Sequence, residues 1–320
     1  MTDDSPLLIT CVGVDHDLDL LPHFLDHYLA LGIAPDRMRP ILNALDGGSD
    51  GLAQAKEILR SRGVERAIEW IAPYTSGSMW EKRREVQKAE AEPSDWVLSA
   101  DVDEYHEYPE RLPAFLERCG QMGVDCVQGV FIDRVAEGGK LASVARTPAL
   151  HEQFPVEADV IWTIGGEGSG HNRRGSVKVM AIRGHVLPSR GGHHPVKEQS
   201  PSFLYNHPLG EFPEVEDPSF RFSVPTRVHH YHWTASLPER LRIRLATPGV
   251  SRAGAYYGQK QLDHFEQHGG LDMSRIPVRS SGSDEDWQDA LHRIRRKGAQ
   301  RKAAEPFLAP LRAVKKRIMG

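Results

Sequence analysis

Trp96-Val97-Leu98-Ser99-Ala100 is a short apolar run that stops at Asp101-Val102-Asp103-Glu104. A continuous apolar run with polar borders predicts a strand buried on both faces, as in a parallel sheet. Ligands of open α/β sheets bind beyond the carboxyl ends of the strands, and Asp101 and Asp103 fall there. Residues two apart on an extended chain point to one side, so both carboxylates can face one cation. Hard oxygen donors suit Mg²⁺ or Mn²⁺, ions that bridge carboxylates to diphosphates. The competing reading is a strand ending in a solvated acidic turn, because a bare Asp-x-Asp is a frequent tripeptide.

The residues before this run repeat one pattern. Leu7 to Val12 reads as a strand, and Leu21, Phe24, Leu25, Tyr28 and Leu29 recur at helical spacing up to Gly32. Asp15, Asp17 and Asp19 stand between them as candidate helix caps. Ile41 to Leu45 predicts a second strand, then a loop Asp46-Gly47-Gly48-Ser49-Asp50-Gly51, then a helix carrying Leu52, Ala55 and Leu59. Trp70 to Ala72 reads as a third strand and Ser78 to Ala91 as a helix. Strand and helix alternating over short links predict an α/β fold with helices on both faces of a mainly parallel sheet.

After Tyr105 the pattern loosens. Leu112 to Cys119 predicts a helix, and Cys126 to Ile132, Val177 to Ile182 and Val228 to His232 predict strands. The polar, glycine-rich passage from Asp133 to Gly175 reads as a long loop, either functional or plain surface. Its Gly165-Gly166-Glu167-Gly168-Ser169-Gly170 is no P-loop, because the Lys-Ser/Thr ending is missing. Ser236-Leu237-Pro238-Glu239 has the form of a capping box. From about Thr247 the composition shifts to an extension, 246–320, that is helical and ends in a basic tail including Arg295, Lys302, Arg312 and Lys316. Such a tail suits either anionic lipid head groups or plain solvation.

The chain has 320 residues, enough for one large core, and at 39% hydrophobic and 26% charged its composition is that of a globular protein. A net charge of -4 gives no reason to expect a nucleic-acid partner. Cys11, Cys119 and Cys126 form no CxxC pair, which disfavours a disulfide framework or a cysteine zinc site. No apolar run approaches membrane-spanning length and no leader pattern is visible at Met1 to Pro6.

Three further groups carry chemistry. In His229-His230-Tyr231-His232-Trp233, alternation puts His230 and His232 on one face. One imidazole added to two carboxylates completes a ligand set and tilts it toward Mn²⁺. Asp46, after the second strand, is placed to bond a ribose hydroxyl or a base edge, or else only to cap its own turn. Lys82, Arg83 and Arg84 can meet phosphate, although three consecutive residues cannot share one helix face.

The ordered blocks Leu21-Pro22-His23-Phe24-Leu25-Asp26-His27-Tyr28, Asp46-Gly47-Gly48-Ser49-Asp50-Gly51, Asp101-Val102-Asp103-Glu104-Tyr105, Val177-Lys178-Val179 and His230-Tyr231-His232-Trp233-Thr234 resemble those of GT-A fold glycosyltransferases. The resemblance is to the family 2-like and family 92-like group with an Asp-x-Asp-Glu-Phe/Tyr signature, and it covers roughly residues 7 to 245. It implies a GT-A-like (Rossmann-like) α/β/α sandwich over 1–245, with 1–105 as the nucleotide-binding half and 106–245 as the acceptor half. It implies a UDP- or GDP-linked sugar as donor, a carbohydrate or glycoconjugate as acceptor, and Mn²⁺ or Mg²⁺ as cofactor. Asp101 would lie near the ribose or the metal, Asp103 and His230 would bind the ion, and Asp46 would contact the nucleoside. Lys178 and His194 would line the donor or acceptor pocket. The chain departs from the pattern where Asp15-His16-Asp17 replaces the usual Asn-Glu after the first strand.

Transfer of a sugar from a nucleoside diphosphate needs leaving-group charge stabilised, and in an inverting enzyme a carboxylate takes the acceptor proton. Glu104, Asp133 and Glu167 are the candidates for that base. The expected setting is the bacterial cytoplasm, with the basic tail touching the inner membrane face. The rival readings are a sugar nucleotidyltransferase and a catalytically degenerate nucleotide-sugar-binding protein.

Overall fold

The computed structural model describes residues 5–165, 176–205, 212, 215, 217–247, 250, 252–280, 285–300 and 303. Glu167 and the basic tail beyond residue 300, apart from Ala303, lie outside the described residues.

The chain folds as an α/β protein. Its strands are β1 (Leu7–Gly13), β2 (Met38–Ala44), β3 (Ile68–Ile71), β4 (Trp96–Asp101), β5 (Glu104–Glu107), β6 (Cys126–Val135), β7 (Val156–Ala158), β8 (Val177–Arg183) and β9 (Arg227–His230). The helices are α1 (Leu21–Ala30), α2 (Asp50–Arg60), α3 (Ser76–Glu90), α4 (Leu112–Gln121), α5 (Leu150–Gln153), α6 (Val160–Gly165), α7 (Pro218–Phe222), α8 (Leu237–Ala246) and α9 (Arg252–His268), with a further helix over 287–300. Among the described residues one sheet runs β3-β2-β1-β4-β8-β6-β9-β5, with β7 beside β6.

Alternation along the strands explains both layers. On β1, Leu8 and Val12 pack with Phe24, Leu25 and Tyr28 of α1 and Leu52 and Leu59 of α2. Leu7, Ile9 and Cys11 point the other way, to Met79, Trp80 and Val86 of α3. A strand covered on both faces is mostly apolar, as β1 and β4 are; in β2 the buried Arg39 pairs with Glu90, and Asn43 donates to the Trp70 and Ala72 carbonyls.

Strand direction then gathers one edge of the sheet. β1, β2, β3 and β4 are mutually parallel. β8 is antiparallel to β4 and to β6, β9 is parallel to β6, and β5 is antiparallel to β9. The carboxyl ends of β4, β6 and β9 therefore share an edge with the amino ends of β5 and β8. β4 and β8 pair at Trp96↔Arg183 and Val97↔Ile182, and extending that register sets Lys178 opposite Asp101. His230 is the register partner of both Glu104 and Asp133.

Some local expectations fail. The passage from Asp133 to Gly175 is not one loop: β6 continues to Val135, and α5, β7 and α6 follow. The hydrogen bonds from β6 to β7 and the helix start at Val160 compensate a backbone that the polar composition left looking unstructured. Ser236 makes no side-chain cap, because its backbone is already helical, and its hydroxyl meets Thr234 at 3.1 Å. None of Asp15, Asp17 and Asp19 caps α1, whose N-cap is Leu20. Asp17 turns back instead and accepts the Gly13 N–H at 2.8 Å.

The described part of 246–320 packs on the sheet domain. Leu262 and Phe265 of α9 bury against Trp233, while Leu291 and Ile294 join the cluster that holds Phe115 of α4. Among the described residues no helix is long and apolar enough to cross a membrane. The three cysteines are free and buried.

Candidate metal and nucleotide site

The shared edge holds two layers of polar side chains. The inner layer is built from ion pairs. Lys178 Nζ lies 2.7 Å from Glu104 Oε1 and 3.3 Å from Asp101 Oδ2. Arg83 reaches in from α3 and donates to Asp101 Oδ1 at 2.5 Å and to Ser99 Oγ at 2.9 Å. Glu104 Oε2 accepts the Asp101 N–H at 3.1 Å, closing the turn between β4 and β5. Arg83, Lys178 and Glu104 are buried. Burial works against the Asp101 charge, but Lys178 and Arg83 outweigh it and hold the carboxyl below its usual range. Burial pushes the Glu104 carboxyl up to about 7 despite Lys178.

The outer layer is Asp103, His230 and His232, whose ligand atoms all lie within 4.8 Å of one another. Asp103 follows β4 by two residues, and its carbonyl accepts the Tyr231 N–H at 2.8 Å, which ties the acidic turn to the end of β9. Asp103 Oδ2 is 3.6 Å from His230 Nε2 and 3.0 Å from His232 Nδ1. The two imidazoles stack, with centroids 4.9 Å apart and planes 9° from parallel. Behind them, Asp133 Oδ1 accepts from His230 Nδ1 at 2.9 Å and from Trp233 Nε1 at 2.8 Å. Asp133 Oδ2 accepts the N–H groups of Val160 and Ile161, each at 2.8 Å, so it also caps the start of α6.

The donor set fits a divalent ion. At bond lengths of about 2.1 Å, neighbouring ligands lie roughly 3.0 Å apart around an octahedral ion and about 3.4 Å apart around a tetrahedral one. The 3.0 Å from Asp103 to His232 Nδ1 equals an octahedral edge and the 3.6 Å to His230 Nε2 slightly exceeds a tetrahedral one; His232 Nδ1 hydrogen-bonds Asp103 here, and an ion bound at that nitrogen would displace the proton. Donation of its Nδ1 proton to Asp133 leaves His230 Nε2 as a lone-pair donor, the arrangement that orients metal-bound histidines. Burial lowers the His232 imidazole to about 4, so it is neutral at physiological pH, as a ligand must be. Burial opposes the Asp103 charge, yet the hydrogen bond from His232 and the neighbouring His230 hold its carboxyl well below the usual range.

Of the residues singled out from sequence, Asp101, Asp103, Glu104, Asp133, Arg83, Lys178 and His230 converge here. Several do so in other surroundings than expected. Asp101 faces two cations, and the imidazoles face Asp103. Asp101 Oδ1 and Oδ2 already meet Arg83 and Lys178, which weakens it as a direct ligand. Glu104 and Asp133 are buried with both oxygens accepting, so neither is open to an acceptor hydroxyl as a base. Lys82 points to Glu85 at 3.1 Å, out on the solvent side of α3, and Arg84 donates to the Pro188 carbonyl at 3.3 Å. Asp46 is exposed at the end of β2 and accepts the Gly48 N–H at 2.9 Å within its own turn. His194 Nδ1 bonds Ser189 Oγ inside the loop after β8.

His232 is the site residue that sequence reading passed over, although period-two alternation had put it beside His230. Its strand ends at His230, and the stacking of the two rings keeps them together past that end.

No protein-family model matches this chain, and no curated protein matches it. Among solved structures it is similar to S. aureus TarS 1-349 at 12% identity and a TM-score of 0.32, over 82% of this chain and 72% of that one. UDP-glucose pyrophosphorylase complexed with UDP-glucose aligns at 8% identity and a TM-score of 0.26, over 93% of this chain and 99% of that one. Mannose-1-phosphate geranyltransferase from Thermus thermophilus aligns at 14% identity and a TM-score of 0.25, over 59% of this chain and 52% of that one. Superpositions this loose decide nothing about chemistry, which has to come from the side chains.

Proposed function

We propose that this protein is a metal-dependent glycosyltransferase that moves a sugar from a nucleotide-sugar donor to an acceptor hydroxyl. The observation that carries the reading is the meeting of Asp103, His230 and His232 at the carboxyl edge of the sheet, beside Asp101. That edge is where α/β folds hold nucleotides.

In this reading Asp103, His230 and His232 hold Mn²⁺ or Mg²⁺, with nitrogen ligation favouring Mn²⁺. An ion held there would supply Lewis-acid stabilisation of the negative charge that builds on the leaving diphosphate. Asp133 fixes the His230 tautomer from behind. Arg83 and Lys178 keep Asp101 ionised and pointing along β4, where it takes a ribose hydroxyl of the donor. Asp46 reaches the nucleoside from the end of β2. Glu104 holds Lys178 in place and contributes no proton transfer. The acceptor proton then goes to a carboxylate, for which Glu167 remains a candidate from sequence. The acceptor is a carbohydrate or glycoconjugate, and the setting is bacterial polysaccharide or glycoconjugate synthesis.

Isothermal titration with UDP and with GDP, with and without Mn²⁺, tests the reading. The expected result is metal-dependent binding that Asp103→Ala abolishes. Binding indifferent to both the metal and Asp103→Ala would remove the site. Incubation with UDP- and GDP-sugars then separates the activities: slow release of free sugar marks a transferase, pyrophosphate-dependent nucleotide formation marks a nucleotidyltransferase, and binding without turnover marks a degenerate protein.

A further inference from the structure

A cavity lies at the far end of the two strands that lead to the metal edge. In register, Glu104 pairs with His230 at one end of β5 and β9, and Glu107 pairs with Arg227 at the other. Three residues of strand, about 10 Å, separate the two ends. The cavity, lined by Glu107 and Arg227 among others, has a volume of about 650 Å³. Small-molecule sites run from roughly 300 to 1,000 Å³.

Its frame is rigid. Pro109, Pro218, Pro225 and Pro277 line it, and the ring of each fixes its own backbone φ. Trp287 forms one wall. The Phe115 ring supports the indole edge-on at 5.8 Å, and the Arg118 guanidinium lies 5.6 Å from the indole centre. A cavity held this way loses little freedom when it is filled.

Charge decides what the cavity can take. Glu107, with its side chain 42% exposed, meets Arg227 with one oxygen at 3.2 Å and His229 with the other at 2.5 Å. Arg279 pairs with Glu157 at 2.8 Å, and Glu285 with Arg293 at 2.7 Å. Asp286 caps the helix over 287–300, accepting the Gln288 N–H at 2.9 Å. Each of these charges already has its counter-charge or its cap, so an anion or a cation gains no partner there. A neutral ligand rich in hydroxyls does. Each carboxylate oxygen has two lone pairs, so Glu107 keeps acceptor capacity on both oxygens while its ion pairs hold it still. Ser219 and Ser280 add hydroxyls to the wall. A sugar ring also carries an apolar C–H face, which suits an indole.

We propose that this cavity is a carbohydrate-binding site, apart from the metal edge, that holds an oligosaccharide through Glu107 and Trp287. The choice of occupant rests on the reading that the acceptor is a carbohydrate. A glycan held there takes no part in transfer but stays concentrated at the protein.

The experiment is binding of the full chain to a printed array of bacterial surface glycans, then titration calorimetry with the glycan best retained. Wild type should retain at least one. Ser219→Trp puts an indole into the cavity from an exposed position and should abolish retention. Glu107→Gln should weaken binding about ten- to hundredfold, the range for hydrogen bonds to a charged group. A thermal melt reports that each variant is folded. Asp103→Ala should bind glycan as wild type does, and Ser219→Trp should bind nucleotide with Mn²⁺ as wild type does. No glycan retained by wild type, equal retention by Ser219→Trp, or wild-type affinity in a folded Glu107→Gln overturns the sugar site and leaves the metal site standing. Retention lost in Asp103→Ala moves the glycan to the metal edge and overturns it too. A wild type that holds glycan in this cavity but binds neither UDP nor GDP with Mn²⁺ supports the sugar site and overturns the nucleotide-sugar reading alone.

Discussion

Asp133 Oδ1 accepts a hydrogen bond from His230 Nδ1 at 2.9 Å, and both side chains are buried. The contact decides which ring nitrogen of His230 is left to face Asp103. It joins residues 97 positions apart, through the register of β6 on β9.

Asp133→Asn should therefore weaken Mn²⁺ binding by about ten- to hundredfold, the usual effect of losing the group that orients a histidine ligand. Asparagine has a single acceptor oxygen; turned to the Val160 and Ile161 N–H groups it keeps the α6 cap and sets its NH₂ against His230 and Trp233, so the fold should survive with some loss of stability. Titration calorimetry with Mn²⁺, beside a thermal melt, reads both. A folded variant with wild-type Mn²⁺ affinity would mean that His230 is not a ligand.

Lys178 and Glu104 make a second buried pair, 2.7 Å apart, with side chains 3% and 4% exposed. Removing one partner strands the other charge in a dry environment. Lys178→Met should cost about 3–5 kcal/mol in urea unfolding. Lys178→Met/Glu104→Gln should recover part of that, because the glutamine is neutral and still accepts the Asp101 N–H. A double variant no more stable than the single one would place the loss in packing against Trp80, over whose ring the ammonium lies at 5.5 Å.

Two histidines between α1 and β5 should contribute to the acid side of the stability curve, beside His193 and His232, which burial also lowers to about 4. His27 Nε2 meets the His106 carbonyl at 3.0 Å, and His106 Nδ1 meets the Tyr108 hydroxyl at 3.2 Å. Burial lowers His27 to about 4 and His106 well below its ordinary value. An unfolded histidine takes its proton near 6.5. Between that pH and about 4 the unfolded chain holds protons that the folded one refuses, so stability falls as pH falls. The limiting slope is about 1.4 kcal/mol per pH unit for each histidine. His27→Gln, which keeps a donor near Nε2, should flatten the curve by one histidine's share. Parallel curves for the two proteins from about pH 7 to 4.5 would assign the acid sensitivity elsewhere.

Much of the sheet was legible because burial on two faces writes itself into composition. β1 and β4 had to be mostly apolar, and α1 and α2 had to show one apolar stripe each. The acidic end of β4 was legible for the same reason, since an abrupt change from core to carboxylate marks a strand leaving the interior. The period-two spacing of His230 and His232 was also enough to put both on one side.

What local pattern left open was who faces whom. Asp101 and Asp103 are two residues apart, yet one meets Arg83 and Lys178 and the other meets imidazoles. That division follows from β4 and β8 pairing at one end, and from His230 lying level with Glu104 and Asp133 across three strands. The passage after Asp133 looked unstructured because its hydrogen-bond partners are distant in sequence or sit on the Asp133 carboxylate itself. Sequence by itself determined the α/β alternation and the residue types at the site, because hydrophobic periodicity is a local property. Only the tertiary structure decided which carboxylate is neutralised and which stays open to a metal ion, because charge pairing depends on distances that strand order and register set.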